Sequence, residues 1–340
     1  MKIDKLIAYF IGFVYSIFLS YFVTTSNYHN REGSDLFAYE QFYNCLSLDS
    51  IDVCRILISS NYEFFFYYFL KLSSLASLDF SWFIFFFSFI IYSSLVTLVI
   101  KFSKEDNRLY WISLVFLLTD FRYYDYGFNI IRHGSASVMM LIAFGCYLVV
   151  KSKVKNIFLF SPVFFHLSAI AQLSLLARSR LFYSRIFWFF LFLFFSALVF
   201  SPAFSWIAES LFHVDYLGDK LSHYLGDGRH PDWVPLQYFF ILVFSLVLNI
   251  NVKTYLIIRQ VFFALISLSI IFFPVGMSYR FVAFAMPFSA MLLTYQIGHV
   301  YSLFERDGKI FFYVGVFIAM IFLGSLNVLK YYEFILSGLI

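Results

Sequence analysis

Ten consecutive residues bring a cation, a flexible glycine, a carboxylate and a phenol together: Asn30-Arg31-Glu32-Gly33-Ser34-Asp35-Leu36-Phe37-Ala38-Tyr39. A guanidinium grips a phosphate through paired N–H donors. A nearby carboxylate can take the proton of a hydroxyl as that hydroxyl attacks. The stretch follows the first membrane-length apolar run directly, so it lies where lipid ends and water begins. The chemistry it suits is that of a phosphorylated, hydroxyl-bearing substrate at that surface. Asp35 has a plainer role as well, since aspartate is a good N-cap for a helix starting near Leu36.

Two more arginines sit at membrane edges. Arg132 occurs in Tyr126-Gly127-Phe128-Asn129-Ile130-Ile131-Arg132-His133-Gly134, just before an apolar run. It can hold a pyrophosphate bidentately and stabilise charge on a departing phosphate, or simply snorkel to the headgroups. Arg280 ends Pro274-Val275-Gly276-Met277-Ser278-Tyr279-Arg280, a proline and glycine break that suits a cavity-lining loop better than a lipid-facing one. His166 interrupts an apolar segment and is read first as a hydrogen-bonded structural residue.

The remaining polar features are less specific. Residues 207–234 carry His213, Asp215, Asp219, His223, Asp227, Arg229, His230 and Asp232, with no recognisable metal spacing. They read as an external polar loop or a lid that orders over substrate. Asp120 and Asp125 form no paired-carboxylate metal motif. No P-loop, dinucleotide-binding glycine pattern or zinc-protease helix is present, so neither metal nor organic cofactor is expected. Cys45 and Cys54 can pair only if their loop faces an oxidising compartment, and the expectation is that they stay thiols.

The elements that position these residues are membrane helices. Apolar residues make up 62% of the 340-residue chain and charged residues 13%, with apolar runs of spanning length from end to end. No polar stretch is long enough for a soluble domain, so a single membrane domain over 1–340 is expected. A net charge of +4 gives no reason to expect nucleic acid, and the basic residues cluster between apolar runs as topology signals do. The N-terminal run has no small-residue cleavage site and reads as a retained helix.

The hydropathy pattern predicts an all-α polytopic bundle. Nine spans are expected, near 5–24, 79–100, 107–120, 134–150, 185–206, 235–251, 254–273, 281–300 and 310–329, with the third short. Residues 62–78 read as a helix at the outer interface. Residues 156–177 are long enough to cross, but Pro162 and His166 break them. With the N-terminus cytoplasmic and 156–177 a re-entrant hairpin, Lys and Arg divide fifteen inside to nine outside; a crossing there gives twelve and twelve. The positive-inside rule favours the hairpin, which puts Arg31, Asp35, Arg132, the 207–234 segment and Arg280 on one external side.

Read together, these residues resemble the EpsG family of bacterial exopolysaccharide and capsule polymerases, a Wzy-like group. The resemblance rests on Arg31, Gly33, Asp35 and Tyr39 in an Arg-x-Gly-x-Asp-x-x-x-Tyr loop, and on Asn129 and Arg132 before a small-residue-rich helix. His166-Leu167-Ser168-Ala169 and the late pair Tyr279-Arg280 complete it, in order along most of the chain. The pattern departs at His133, where many relatives carry glutamine.

The resemblance implies a GT-C-like membrane glycosyltransferase in the bacterial inner membrane, with its site facing the periplasm or exterior. Its substrate would be an oligosaccharide repeat unit on undecaprenyl pyrophosphate, polymerised into capsule, exopolysaccharide or O-antigen. Asp35, Arg132 and Arg280 would be catalytic; Arg31, Tyr39, Asn129, His133, His166 and Tyr279 would bind substrate. Membrane lipid surrounds it, and chain-length regulator and flippase proteins are the partners such a polymerase would have. Two rival readings are a flippase for the same lipid-linked sugar and a membrane acyltransferase using a buried His166.

Overall fold

The computed structural model describes residues 3–26, 35–48, 54, 64–104, 109–128, 130–150, 155–176, 180–199, 236–272, 278–303, 314–316, 318, 319 and 322. Arg31, Gly33, Asn129, the 207–234 segment and most of the expected 310–329 span lie outside these, and of Asp35 only the backbone is described. Among the described residues every regular element is helical.

Among the described residues five helices are long and apolar enough to cross a bilayer: α1 (Ile3–Thr25), α4 (Phe80–Phe102), α7 (Ile131–Val149), α10 (Lys253–Ile271) and α11 (Ser278–Tyr301). At about 1.5 Å per residue each reaches roughly the 30 Å of a hydrocarbon core. The chain is a multi-pass membrane protein. The expected spans at 107–120, 185–206 and 235–251 appear as shorter apolar helices, α5 (Tyr110–Thr119), α8 (Arg185–Val199) and α9 (Leu236–Val247). α2 (Asp35–Leu48) and α3 (Phe64–Leu75) pack on each other, and α6 (Phe121–Phe128) joins α5 to α7. With twelve residues α3 is too short to span.

Side-chain size explains the layering. α11 lies at the centre, its apolar window wholly buried, because Ala283, Ala285, Ser289, Ala290 and Gly298 let neighbouring helices approach closely. α1 packs against α4 and turns Phe10, Phe18 and Tyr21 outward, as a lipid-facing helix does. Gly127 in α6 sits beneath Tyr92: a Cβ there would come 2.3 Å from its hydroxyl and 2.9 Å from Val23. Gly127→Ala is therefore expected to destabilise the protein by about 1–3 kcal/mol through overpacking, read as a lower thermal midpoint in detergent.

The two ends of the bundle are identified by direct contacts. At one end Tyr295 packs on Tyr255, Lys104 N–H donates to Thr294 Oγ1 at 3.0 Å, and Arg185 Nη1 donates to the Leu246 and Val247 carbonyls. At the other end Phe272 stacks on Phe281 and the Tyr126 hydroxyl donates to the Ala283 carbonyl.

Residues 155–176 and 180–183 have contacts at both of these ends. Lys155 lies over the Tyr147 ring, His166 meets His133 at the far end, Gln172 donates to the Met140 carbonyl midway, and the Tyr183 carbonyl returns to Arg259. Their backbone is a short α-turn and 3₁₀ pieces, Lys155–Phe158, Ser161–Phe164, Leu167–Leu176 and Arg180–Tyr183. Side chains from the flanking helices satisfy the irregular backbone: Gln260 Nε2 donates to the Ser174 carbonyl.

One expectation is corrected. Cys45, on α2, and Cys54 are joined by a disulfide, their Cα atoms 5.7 Å apart. The sequence separation of nine residues said nothing about reach; packing of α2 brings the two cysteines within bonding distance.

Candidate active site

Arg132 occupies the first turn of α7, half-buried. Its Nε donates to the Tyr39 hydroxyl and its Nη1 to the Tyr67 hydroxyl at 3.4 Å, and its guanidinium carbon lies 5.4 Å from the Tyr39 ring centre. Tyr39 comes from α2 and Tyr67 from α3, both almost completely buried. The two short helices thus hold one guanidinium through Nε and Nη1. Such a plane is pre-organised for a phosphate, because the donors of a fixed fork lose little freedom on binding.

His133 follows on the inward face. Its ring lies 3.7 Å, centre to centre, from that of His166, and Phe284 of α11 backs both at 5.2 and 5.6 Å. Both imidazoles are 3% exposed. His166 Nδ1 accepts the Ser168 N–H at 3.2 Å, which puts the proton of a neutral ring on Nε2. His133 Nε2 is buried and makes no hydrogen bond. A buried polar nitrogen left in this state is costly and is commonly kept for a ligand.

Arg280, in the first turn of α11, completes the group: it stands one helical turn before Phe284, on the same face of the helix as the ring that backs both imidazoles. Two guanidiniums and two imidazoles therefore converge at one end of the bundle. Concentrated positive charge in a low-dielectric site favours a multiply charged anion with several oxygens.

Beside it lies a network that reading the chain for motifs missed. Asp120 accepts the Arg122 N–H at 2.9 Å, pairs with the Arg122 guanidinium at 3.4 Å and accepts the Tyr238 hydroxyl at 2.6 Å. Arg122 sits 5.1 Å from the Tyr238 ring centre and 5.4 Å from that of Tyr279, whose hydroxyl donates to Asp125. Asp120, Arg122 and Asp125 are all buried. Motif search passed over them because they match no metal or catalytic spacing. The available signal was three ionisable residues within six positions between apolar helices, costly unless used or paired.

Of the expected site residues, Tyr39, Arg132, His133, His166 and Arg280 come together, and Tyr279 links them to the Asp120–Arg122–Asp125 network. Asp35 starts α2 one helical turn before Tyr39. Arg31 and Asn129 lie outside the described residues.

Residues 9–336 match the family model of the EpsG family. The chain belongs to the EpsG family. Membership supports a polysaccharide-polymerase type of function, with glycosyltransferase activity in exopolysaccharide biosynthesis. No curated protein matches, and no solved structure does. The match covers α7 and α11, which carry Arg132, His133 and Arg280 of this EpsG protein, α2, which carries Tyr39, and the irregular segment bearing His166.

Proposed function

We propose that this protein polymerises oligosaccharide repeat units carried on undecaprenyl pyrophosphate into a surface polysaccharide at the external membrane face. The observation that carries this is the convergence of Arg132, Arg280, His133 and His166 at one end of a membrane bundle, within a family of polymerase type. A hydroxyl oxygen of one repeat unit bonds to the anomeric carbon of the growing chain. The bond from that carbon to the pyrophosphate oxygen breaks, and the electron pair leaves with undecaprenyl pyrophosphate. Asp35 takes the hydroxyl proton. Arg132 and Arg280, with Arg31, hold the pyrophosphate and offset the charge that develops on it. Pyrophosphate is already a good leaving group, so positioning and electrostatics suffice. Tyr39, Asn129, His133, His166 and Tyr279 line the substrate.

Sidedness is supported by two independent features. The Cys45–Cys54 disulfide lies in the part of the chain that supplies Tyr39, and disulfides persist in oxidising compartments. The clustered lysines and arginines favour the opposite end as cytoplasmic. The contacts of His166 with His133 at one end and of Tyr183 with Arg259 at the other support a re-entrant hairpin. Nine spans in one GT-C-like domain of the inner membrane complete the reading, with chain-length regulator and flippase proteins as partners. A flippase needs cationic sites reachable from both ends of one cavity. Here Arg132, His133, His166 and Arg280 gather at one end of the bundle, which supports the enzyme instead.

Purified protein in lipid vesicles, given its own undecaprenyl-pyrophosphate repeat unit, is expected to yield a glycan ladder that Asp35→Asn and Arg280→Ala both abolish while remaining folded. Movement of substrate between leaflets without a ladder would make it a flippase. A ladder surviving both substitutions would remove these residues from the site.

A further inference from the structure

At the end of the bundle opposite the histidines, a cavity of about 420 Å³ opens between four helices. Lys101, Phe102, Ser103 and Lys104 line it from the end of α4, Leu148 from α7, Val252 and Thr254 from the start of α10, and Tyr295 from α11. Small-ligand sites typically enclose roughly 300–1,000 Å³, so this one has room for a headgroup. It lies about 24 Å from Arg132, the rise of the sixteen residues of α7 between Arg132 and Leu148.

The basic turn on its wall is held in place by three hydrogen bonds to two helices. Lys104 N–H donates to Thr294 Oγ1 at 3.0 Å, and the Tyr295 hydroxyl donates to the Phe102 carbonyl at 3.3 Å. Ser103 Oγ donates to Ser113 Oγ at 2.8 Å on α5. Gly298 makes room for the lysine: a Cβ there would come 2.9 Å from Lys104 Cδ and 3.1 Å from its Nζ. Topology-setting lysines need none of this, since charge alone serves that purpose. A pinned turn carrying two ammonium groups, beside apolar Phe102, Leu148 and Val252, fits a ligand that is anionic at one end and apolar at the other.

We propose that this cavity binds the phosphate-bearing headgroup of an anionic phospholipid of the cytoplasmic leaflet. Lys101 and Lys104 pair with the phosphate, and Leu148 and Val252 flank the first part of the acyl chains. Glu105 and Asp106 follow in sequence outside the described residues, so the test rests on lipid selectivity and not on net charge. The placement in the cytoplasmic leaflet rests on the sidedness proposed above, whereas the lipid-binding measurement does not depend on catalysis.

The experiment is thermal unfolding of the detergent-purified protein titrated with phosphatidylglycerol, phosphatidylcholine or soluble glycerol phosphate. Phosphatidylglycerol alone is expected to raise the unfolding midpoint. Lys101→Gln with Lys104→Gln should raise the concentration for half-maximal effect on the order of tenfold, the loss of two cation–headgroup contacts. Thr254→Trp, which fills the cavity and leaves both lysines in place, should do the same and serves where the lysine variant fails to fold. Equal response to glycerol phosphate would make this a soluble-phosphate site and overturn the lipid assignment. Equal response to both lipids, or variants responding like wild type, would overturn the site. Glycan-ladder formation, measured in parallel, reports separately on the proposed activity.

Discussion

Replacing Arg132 by alanine is expected to lower the rate of ladder formation by about 10²–10³-fold, the loss typical when one pre-organised donor to a developing oxyanion is removed. The expectation follows from how the residue is held. Its Nε is bound by the Tyr39 hydroxyl and one Nη by Tyr67, with the Tyr39 ring centre 5.4 Å from the guanidinium carbon. Both phenols are buried, so the fork is oriented before substrate arrives. Arg132→Lys keeps a positive charge but has neither the Nε contact nor the planar fork, and should recover only part of the rate. If the arginine acts on the departing pyrophosphate, kcat falls with little change in KM, since that charge develops only in the transition state. Initial rates with the lipid-linked repeat unit, beside a folded-state control, measure this. An alanine variant within a factor of three of wild type would make Arg132 a headgroup anchor.

The largest effect on stability is expected at Arg122. Alanine there leaves the carboxylates of Asp120 and Asp125 in a buried site without the guanidinium that lies between Tyr238 and Tyr279. Removing one partner of a buried pair typically costs about 3–5 kcal/mol, far more than a surface pair, because the other charge is stranded. That corresponds to a fall on the order of 10 °C in the thermal midpoint. Arg122→Gln combined with Asp120→Asn strands less charge and should be milder than Arg122→Ala alone. Activity is expected to fall with stability, because Tyr279, bound to Asp125, is the residue before Arg280. Thermal unfolding in detergent decides it. An Arg122→Ala protein that melts with wild type would show that the network contributes nothing to the fold.

Arg122 also shows how far local reading reaches. In the sequence it counts as one more external cation; in the structure it is the centre of a network drawn from α6, α9 and α11. Its partners Tyr238 and Tyr279 lie more than a hundred positions away, and no periodicity encodes that pairing. The cysteines make the same point. Nine positions of separation allow a bond without implying one, and the packing of α2 settles the matter.

What the sequence determined by itself was whatever depends on local composition. Long apolar runs must be helices in a bilayer, where every backbone polar group needs an internal partner, and among the described residues five of them reach spanning length. The ordered arginine, histidine and tyrosine motifs were likewise local enough to indicate the EpsG family, to which the chain belongs. Only the tertiary structure decided which polar groups meet. Helix rotation and depth set that, so His133 could be placed against His166, Tyr67 against Arg132 and Tyr279 against Asp125 only once α3, α6, α7, α11 and the segment bearing His166 were packed together. A rotation of one residue, about 100° on a helix, would carry each of those side chains to another face.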